Sequence, residues 1–254
     1  MRKTVNAALA VFVLLLLAGC GENIPVYTEV TALPQTAATV EKTEAPKPLY
    51  SPLATEQYLL PLEDFSWERE YAPEYVMLHF TSAVVLSKED PYNVDTVRKI
   101  FVDGGVSIHY IIDRDGTVYC YIPETRAAWH AGKGTFAEDE RLTNAMNKYS
   151  IGIELIAIGS KSDMAQYLTG EEYESLDAAS VGFTDAQYAS LSALVADICA
   201  RNDIAFDRDH VIGHEEYNPV KSDPGELFDW DRLFEERRDS PRRKANRQTI
   251  GYLT

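Results

Sequence analysis

Basic residues are scarce in this chain. Lys and Arg number 24 against 40 Asp and Glu, for a formal net charge of −16. A surface of that sign repels phosphate backbones and anionic headgroups, which argues against nucleic acid and anionic lipid as partners. Long apolar runs are also nearly absent. The longest, Ala7 to Ala18, is too short to cross a bilayer as a helix. Cysteine occurs three times, too rarely for a disulfide framework. No internal repeat is evident, which sets aside solenoids and propellers.

The short apolar run has a different use. Arg2 and Lys3 precede it, and Leu17-Ala18-Gly19-Cys20 closes it. A basic start, an apolar stretch and small residues before the cut make a secretory signal. The last four residues resemble a bacterial lipobox, so residues 1–19 are expected to be removed and Cys20 lipidated. Acyl chains on Cys20 would anchor the chain to the outer face of a bacterial membrane or to an outer membrane, facing the cell wall. Residues 20–56 carry Thr, Pro, Ala and Glu without apolar periodicity, as in Glu44-Ala45-Pro46-Lys47-Pro48. Such a segment buries too little to offset its ordering entropy and reads as a tether. Residues 57–236 are expected to form one domain with a sizeable core, and 237–254 a basic tail.

Within the domain, periodicity separates strands from helices. Tyr75 to Phe80, Ser107 to Ile112, Thr117 to Ile122, Ser150 to Ala157 and His210 to Gly213 read as strands. Asp113-Arg114-Asp115-Gly116 signals a hairpin between the second and third. Asn93 to Phe101 reads as a helix that stops at Gly104-Gly105. Thr184 followed by Gln187 is a capping box, and Leu191, Leu194, Val195 and Ile198 give the helix after it a buried stripe. A last helix is expected over Glu226 to Glu236. Strands alternating with helices, plus a hairpin, predict an α/β fold: a mixed central β-sheet flanked by α-helices. Cys120 falls on a strand and Cys199 on a helix. They can pair in an oxidising compartment, but two buried thiols are the expectation.

Several polar residues lie on or just after these apolar strands. His79, His214 and Asp223 would give a zinc ion three ligands and leave the fourth position open, the pattern of a catalytic rather than a structural site. Glu154 sits in an otherwise apolar strand, where an unpaired carboxylate is costly, so a specific role is expected. As a base and then an acid it could carry a proton from water to a leaving group. Lys221 could offset the charge of a developing oxyanion. His214 precedes Glu215-Glu216, but position 218 is Asn, so this is not a His-Glu-x-x-His zinc helix.

The pieces Leu78-His79-Phe80-Thr81, Val106-Ser107-Ile108-His109-Tyr110, Ala128-Trp129-His130-Ala131-Gly132, Ser150-Ile151-Gly152-Ile153-Glu154-Leu155, Ile212-Gly213-His214 and Lys221-Ser222-Asp223-Pro224-Gly225 follow one another in order. With them the chain from about Glu74 to Leu233 resembles the type 2 N-acetylmuramoyl-L-alanine amidases, whose fold is shared with peptidoglycan recognition proteins. Its lipoprotein members look nearest. The resemblance implies zinc as cofactor, held by His79, His214 and Asp223. It implies that Glu154 is the catalytic carboxylate and that Lys221 stabilises the tetrahedral intermediate. It implies a hydrolase that cuts between N-acetylmuramic acid and L-alanine in peptidoglycan or muropeptides, and a monomer is expected. Some members place a tyrosine before the histidine of the second motif. Here that position is Ile108, which leaves the proton to Glu154. The alternative is a lipoprotein that binds muropeptides without cutting them. Relatives of that kind typically lose a zinc ligand, and this chain keeps all three.

Other residues have plainer readings. Trp129 and His130 could contact substrate or simply pack. His109 is expected to be structural or to support a ligand, and His210 structural. Asp113 and Asp115 are explained by the hairpin turn. The stretch from Ile158 to Gly182 is longer than a strand-to-helix loop requires. It is either a surface insertion with a short helix or a wall of the substrate groove.

Overall fold

A computed structural model describes residues 50–54 and 56–239. The proposed signal, Cys20 and most of the tether lie outside the described residues, as does the tail beyond Asp239.

Eight strands and seven helices follow in this order: β1 (Glu56–Gln57), α1 (Leu62–Phe65), β2 (Ser66–Glu68), β3 (Tyr75–Thr81), α2 (Val94–Gly104), β4 (Tyr110–Ile112), β5 (Val118–Cys120), β6 (Arg126–Ala128), β7 (Ser150–Ile156), α3 (Lys161–Met164), α4 (Gly170–Glu174), α5 (Asp185–Asn202), β8 (Val211–Gly213), α6 (His214–Tyr217) and α7 (Trp230–Asp239). Six strands form the main sheet in the order β1-β5-β4-β7-β3-β8. It is mixed. β4, β7, β3 and β8 run parallel, and β5 turns back antiparallel to β4. β2 and β6 form a small antiparallel ribbon beside it. The mixed α/β fold predicted from the pattern is the fold observed.

Each strand residue faces the side opposite to its neighbour, so register decides which side chains meet. Val76, Leu78, Tyr110, Ile112, Ile151, Ile153 and Leu155 share one face, where Leu191, Leu194, Val195 and Ile198 of α5 cover them. The expected stripe is the buried one. On the other face, Ile111 and Ile156 pack with Val97 and Phe101 of α2. β7 is buried along its whole length, as a central strand covered on both faces must be.

Local chemistry sets the helix ends. Asn93 accepts the N–H of Thr96 at the start of α2, and Gly105 ends it at φ 63°, the left-handed conformation that glycine adopts without penalty. Thr184 and Gln187 cap α5 reciprocally. Gln187 does more than the capping box foretold. It is buried, and its Nε2 donates to the carbonyls of Ile112 and Ile156, pinning α5 to the ends of β4 and β7. The hairpin turn falls where expected, with the Gly116 N–H bonded to the Asp113 carbonyl.

Three boundaries differ from expectation. The final helix begins at Trp230, not Glu226. Gly225 accepts from the Phe228 N–H in a turn, and the Asp229 carboxylate accepts the Arg232 N–H as the cap. That helix also runs to Asp239, past the predicted domain end at 236. At the other end, the fold begins before residue 57. The Ser51 N–H donates to the Tyr110 hydroxyl at 2.6 Å, and its Oγ donates to Asp197 at 2.6 Å. Tyr110 in turn donates to Glu124, which Arg201 grips with both terminal nitrogens. Neither a buried Tyr hydroxyl nor a Glu–Arg pair shows in apolar periodicity. Cys120 and Cys199 are buried thiols not joined in a disulfide, as expected. Burial, and then the nearby Glu124, push the Cys120 thiol up to about 12.

Candidate metal centre and active site

The site gathers where β3, β7 and β8 end. His79 and Glu154 are register partners on β3 and β7, so their side chains stand on the same face. β8 runs beside β3 and delivers His214, the first residue of α6. The chain then folds back on α6. The Lys221 N–H bonds to the Asn218 carbonyl, and the Asp223 carbonyl accepts the Glu215 N–H at 3.1 Å. That turn brings Asp223 and Lys221 back to the strand ends. The Asp223–Pro224 peptide is cis.

Three atoms form a triangle. His79 Nδ1 is 3.1 Å from His214 Nδ1 and 2.7 Å from Asp223 Oδ2, and His214 Nδ1 is 2.9 Å from the same oxygen. All three residues predicted as ligands are therefore in one place, and they are the cluster able to hold a metal ion among the described residues. Both imidazoles are buried and Asp223 nearly so. Burial lowers the pKa of His79 and keeps it neutral, which is the form that ligates.

The outer nitrogens are occupied as well. His214 Nε2 donates to the Ala131 carbonyl at 2.9 Å, so in the neutral ring the lone pair is on Nδ1. His79 Nε2 lies 3.0 Å from His130 Nδ1. Two lone pairs and a carboxylate oxygen that face one another at about 3 Å repel unless a cation sits among them. The spacing suits ligand bonds of about 2 Å. The donor set therefore fits a small divalent metal.

Glu154 is buried, and its Oε2 has no hydrogen-bond partner among the described residues. Burial raises its pKa well above the usual carboxylate range. The charge of Asp223 adds to that, and Lys221 opposes it. Lys221 itself is exposed at the mouth. Both line a cleft of about 560 Å³ that also contains His79, His214 and Asp223, a size suited to a small ligand.

Trp129 lines the same cleft, 47 % exposed, with its ring packed against Trp67 at a centroid distance of 4.0 Å and a tilt of 40°. Trp67 comes from β2, which pairs with the strand before Trp129, so the sequence carried no local sign of the pair. His130 also reaches the cleft, but both of its ring nitrogens face protein groups, His79 Nε2 and Ser150 Oγ. It braces the His79 ring rather than offering a free ring nitrogen to the cleft. His109 is structural. Its Nδ1 accepts the Gly152 N–H at 3.0 Å, and its Nε2 faces the Arg126 carbonyl at 3.1 Å. His210 bonds Asp207 at the surface. Both readings of the 158–182 stretch contain part of the answer. It carries the short helices α3 and α4, and its Asp163, Gln166 and Tyr167 line the cleft.

The family model for N-acetylmuramoyl-L-alanine amidase (Amidase_2) matches residues 69–226, more than half of the chain. The chain belongs to that family. It is 35 % identical over 129 residues to the 1,6-anhydro-N-acetylmuramyl-L-alanine amidase AmpD of Salmonella typhimurium, covering 50 % of this chain and 55 % of that protein. It is 31 % identical over 151 residues to the N-acetylmuramoyl-L-alanine amidase AmiD of Escherichia coli, covering 56 % of this chain and 48 % of that protein. The chain thus spans about half the length of the curated relatives it matches. A crystal structure of a selenomethionine AmpD derivative is similar at a TM-score of 0.52 and 26 % identity, over 72 % of this chain and 94 % of that one.

Proposed function

We propose that this chain is a zinc-dependent hydrolase of the amide between N-acetylmuramic acid and L-alanine in peptidoglycan or muropeptides. The observation that carries the reading is the triangle of His79 Nδ1, His214 Nδ1 and Asp223 Oδ2 beside an unpartnered, buried Glu154 carboxylate. Membership of the amidase family and its similarity to AmpD and AmiD support the bond and the substrate class.

An amide is a poor electrophile with a poor leaving group. Zinc held by the three ligands would supply Lewis acidity, polarising the carbonyl and making water easier to deprotonate. Glu154 takes the proton of the attacking water and returns it to the departing nitrogen, a transfer for which a carboxyl pKa raised by burial is suited. The Lys221 ammonium offsets the charge that develops on the carbonyl oxygen. Trp129, backed by Trp67, offers an apolar wall at the mouth for the sugar or the lactyl group.

Leu17-Ala18-Gly19-Cys20 supports a companion proposal, that Cys20 is lipidated and holds the domain at the cell envelope through the tether. The test of the activity is muropeptide digestion by the full chain, read by mass spectrometry with and without a chelator. Free stem peptides beginning at L-alanine, lost on chelation, are the expected outcome. Zinc binding without cleavage of any muropeptide would replace the reading with recognition.

A further inference from the structure

Both ligand histidines lean on one dipeptide. His214 Nε2 donates to the Ala131 carbonyl at 2.9 Å, and His79 Nε2 faces His130 Nδ1 at 3.0 Å. What holds His130 and Ala131 is a single side chain. Asn147 Oδ1 accepts the His130 N–H at 3.0 Å and the Ala131 N–H at 2.7 Å. Only the oxygen of the amide can accept two donors, so its orientation is settled.

The direction of the hydrogen bonds follows from the far end. Ser150 Oγ lies 2.8 Å from the Met146 carbonyl, which can only accept. Ser150 therefore spends its one proton there, and it accepts from His130 Nε2 at 3.1 Å. With its proton on Nε2, the neutral His130 ring offers a bare Nδ1. That nitrogen accepts the N–H of His79 Nε2, and His79 is left with a lone pair on Nδ1, the atom that faces His214 and Asp223. Gly152 on β7 makes room for the ring. A Cβ there would stand 2.7 Å from His130 Nδ1 and collide with Ile108.

We propose that Asn147 and Ser150 are positioning residues for the metal centre, holding His130-Ala131 as a collar that fixes both ligand histidines with their Nδ1 lone pairs turned to the metal. The inference rests on the zinc reading for its consequence, but the chain of hydrogen bonds stands without a metal. Outer partners of this kind typically tune metal affinity by 10- to 100-fold.

The test uses the full chain and zinc, with affinity measured by competition with a chromophoric chelator. Histidine tautomers are read by ¹⁵N NMR in the metal-free and zinc-loaded protein. Asn147→Ala and Ser150→Ala are each expected to weaken zinc binding by about 10- to 100-fold. Asn147→Asp, which keeps both acceptor bonds, should return it to within a few-fold of the parent. In the parent, His130 should carry its proton on Nε2, and Ser150→Ala should populate the other tautomer. Zinc bound as tightly by both alanine variants as by the parent, or a His130 proton on Nδ1, overturns the proposal. If Asn147→Ala does not fold, Ser150→Ala and the tautomer decide. A parent that binds no zinc overturns the reading of function instead, and the His130 tautomer then decides the collar on its own.

Discussion

His79 and Glu154 are paired residue for residue on adjacent parallel strands, with the His79 ring facing Asp223 and the Glu154 Oε2 left without a partner among the described residues. The pairing puts the proposed ligand and the proposed proton carrier on the same face of the sheet, on strand backbone. Neither needs a loop to bring it in.

Glu154→Gln should abolish most turnover while leaving the ligands alone. A positioned general base typically contributes 10²- to 10⁴-fold, so kcat on muropeptides should fall by about that factor. Zinc affinity should change little. Because the variant removes a buried, unpartnered carboxylate, unfolding stability should hold or rise. Full turnover in this variant would remove Glu154 from the reaction.

Zinc should stabilise the fold. A ligand at a hundred times its dissociation constant adds about 2.7 kcal/mol, which for a domain of this size is an upward shift in Tm of roughly 5–10 °C. Asp223→Ala should shrink that shift, since it deletes the one anionic corner of the triangle. Calorimetry with and without zinc measures both, and equal shifts in the two proteins would count against Asp223 as a ligand.

Tyr110→Phe tests the far side of the molecule. The Tyr110 hydroxyl accepts the Ser51 N–H and donates to Glu124. Its removal leaves two buried polar groups short of a partner, at a cost of about 1–3 kcal/mol. Denaturant unfolding should report that loss, and muropeptide turnover should not change. A difference below about 0.5 kcal/mol would mean that the Ser51 strap contributes nothing.

His109 sets an acid limit for the metal-free protein. Burial, and then the Arg69 guanidinium, hold its pKa well below the usual imidazole value, so it stays neutral when folded. The unfolded imidazole takes up a proton near pH 6.5. Below that pH the unfolded state binds more protons and stability falls, by up to about 1.4 kcal/mol per pH unit for this residue, until the folded pKa is reached. Stability measured between pH 6.5 and 5 should show the slope, and His109→Gln should reduce it by about one proton. An unchanged slope would show that His109 does not set it.

Much of the centre was legible from residue type and order. His79, His214 and Asp223 stood out as candidate ligands because ligands need particular side chains, and Glu154 as a candidate proton carrier because a carboxylate in an apolar strand is costly without a task. The partners of these residues were not legible. Asn147 and Ser150 are unremarkable residues in a turn and at a strand start, and their value lies in which atoms they face. Trp67 is one tryptophan among three until β2 pairs with β6. His130 looked like a substrate contact because it sits beside Trp129, yet its ring edges turn inward.

The sequence by itself determined the alternation of strands and helices, the buried stripe of α5, the hairpin turn and the residue types at the centre. These depend on periodicity, caps and chemistry that act over a few residues. Tertiary structure decided the rest. It set the register that puts His79 beside Glu154, the return of the loop that brings Asp223 to His214, the strap at Ser51 and the hydrogen-bond partners of each histidine ring. Those depend on residues far apart in the chain meeting at hydrogen-bond distance, and no local pattern encodes a distance between segments.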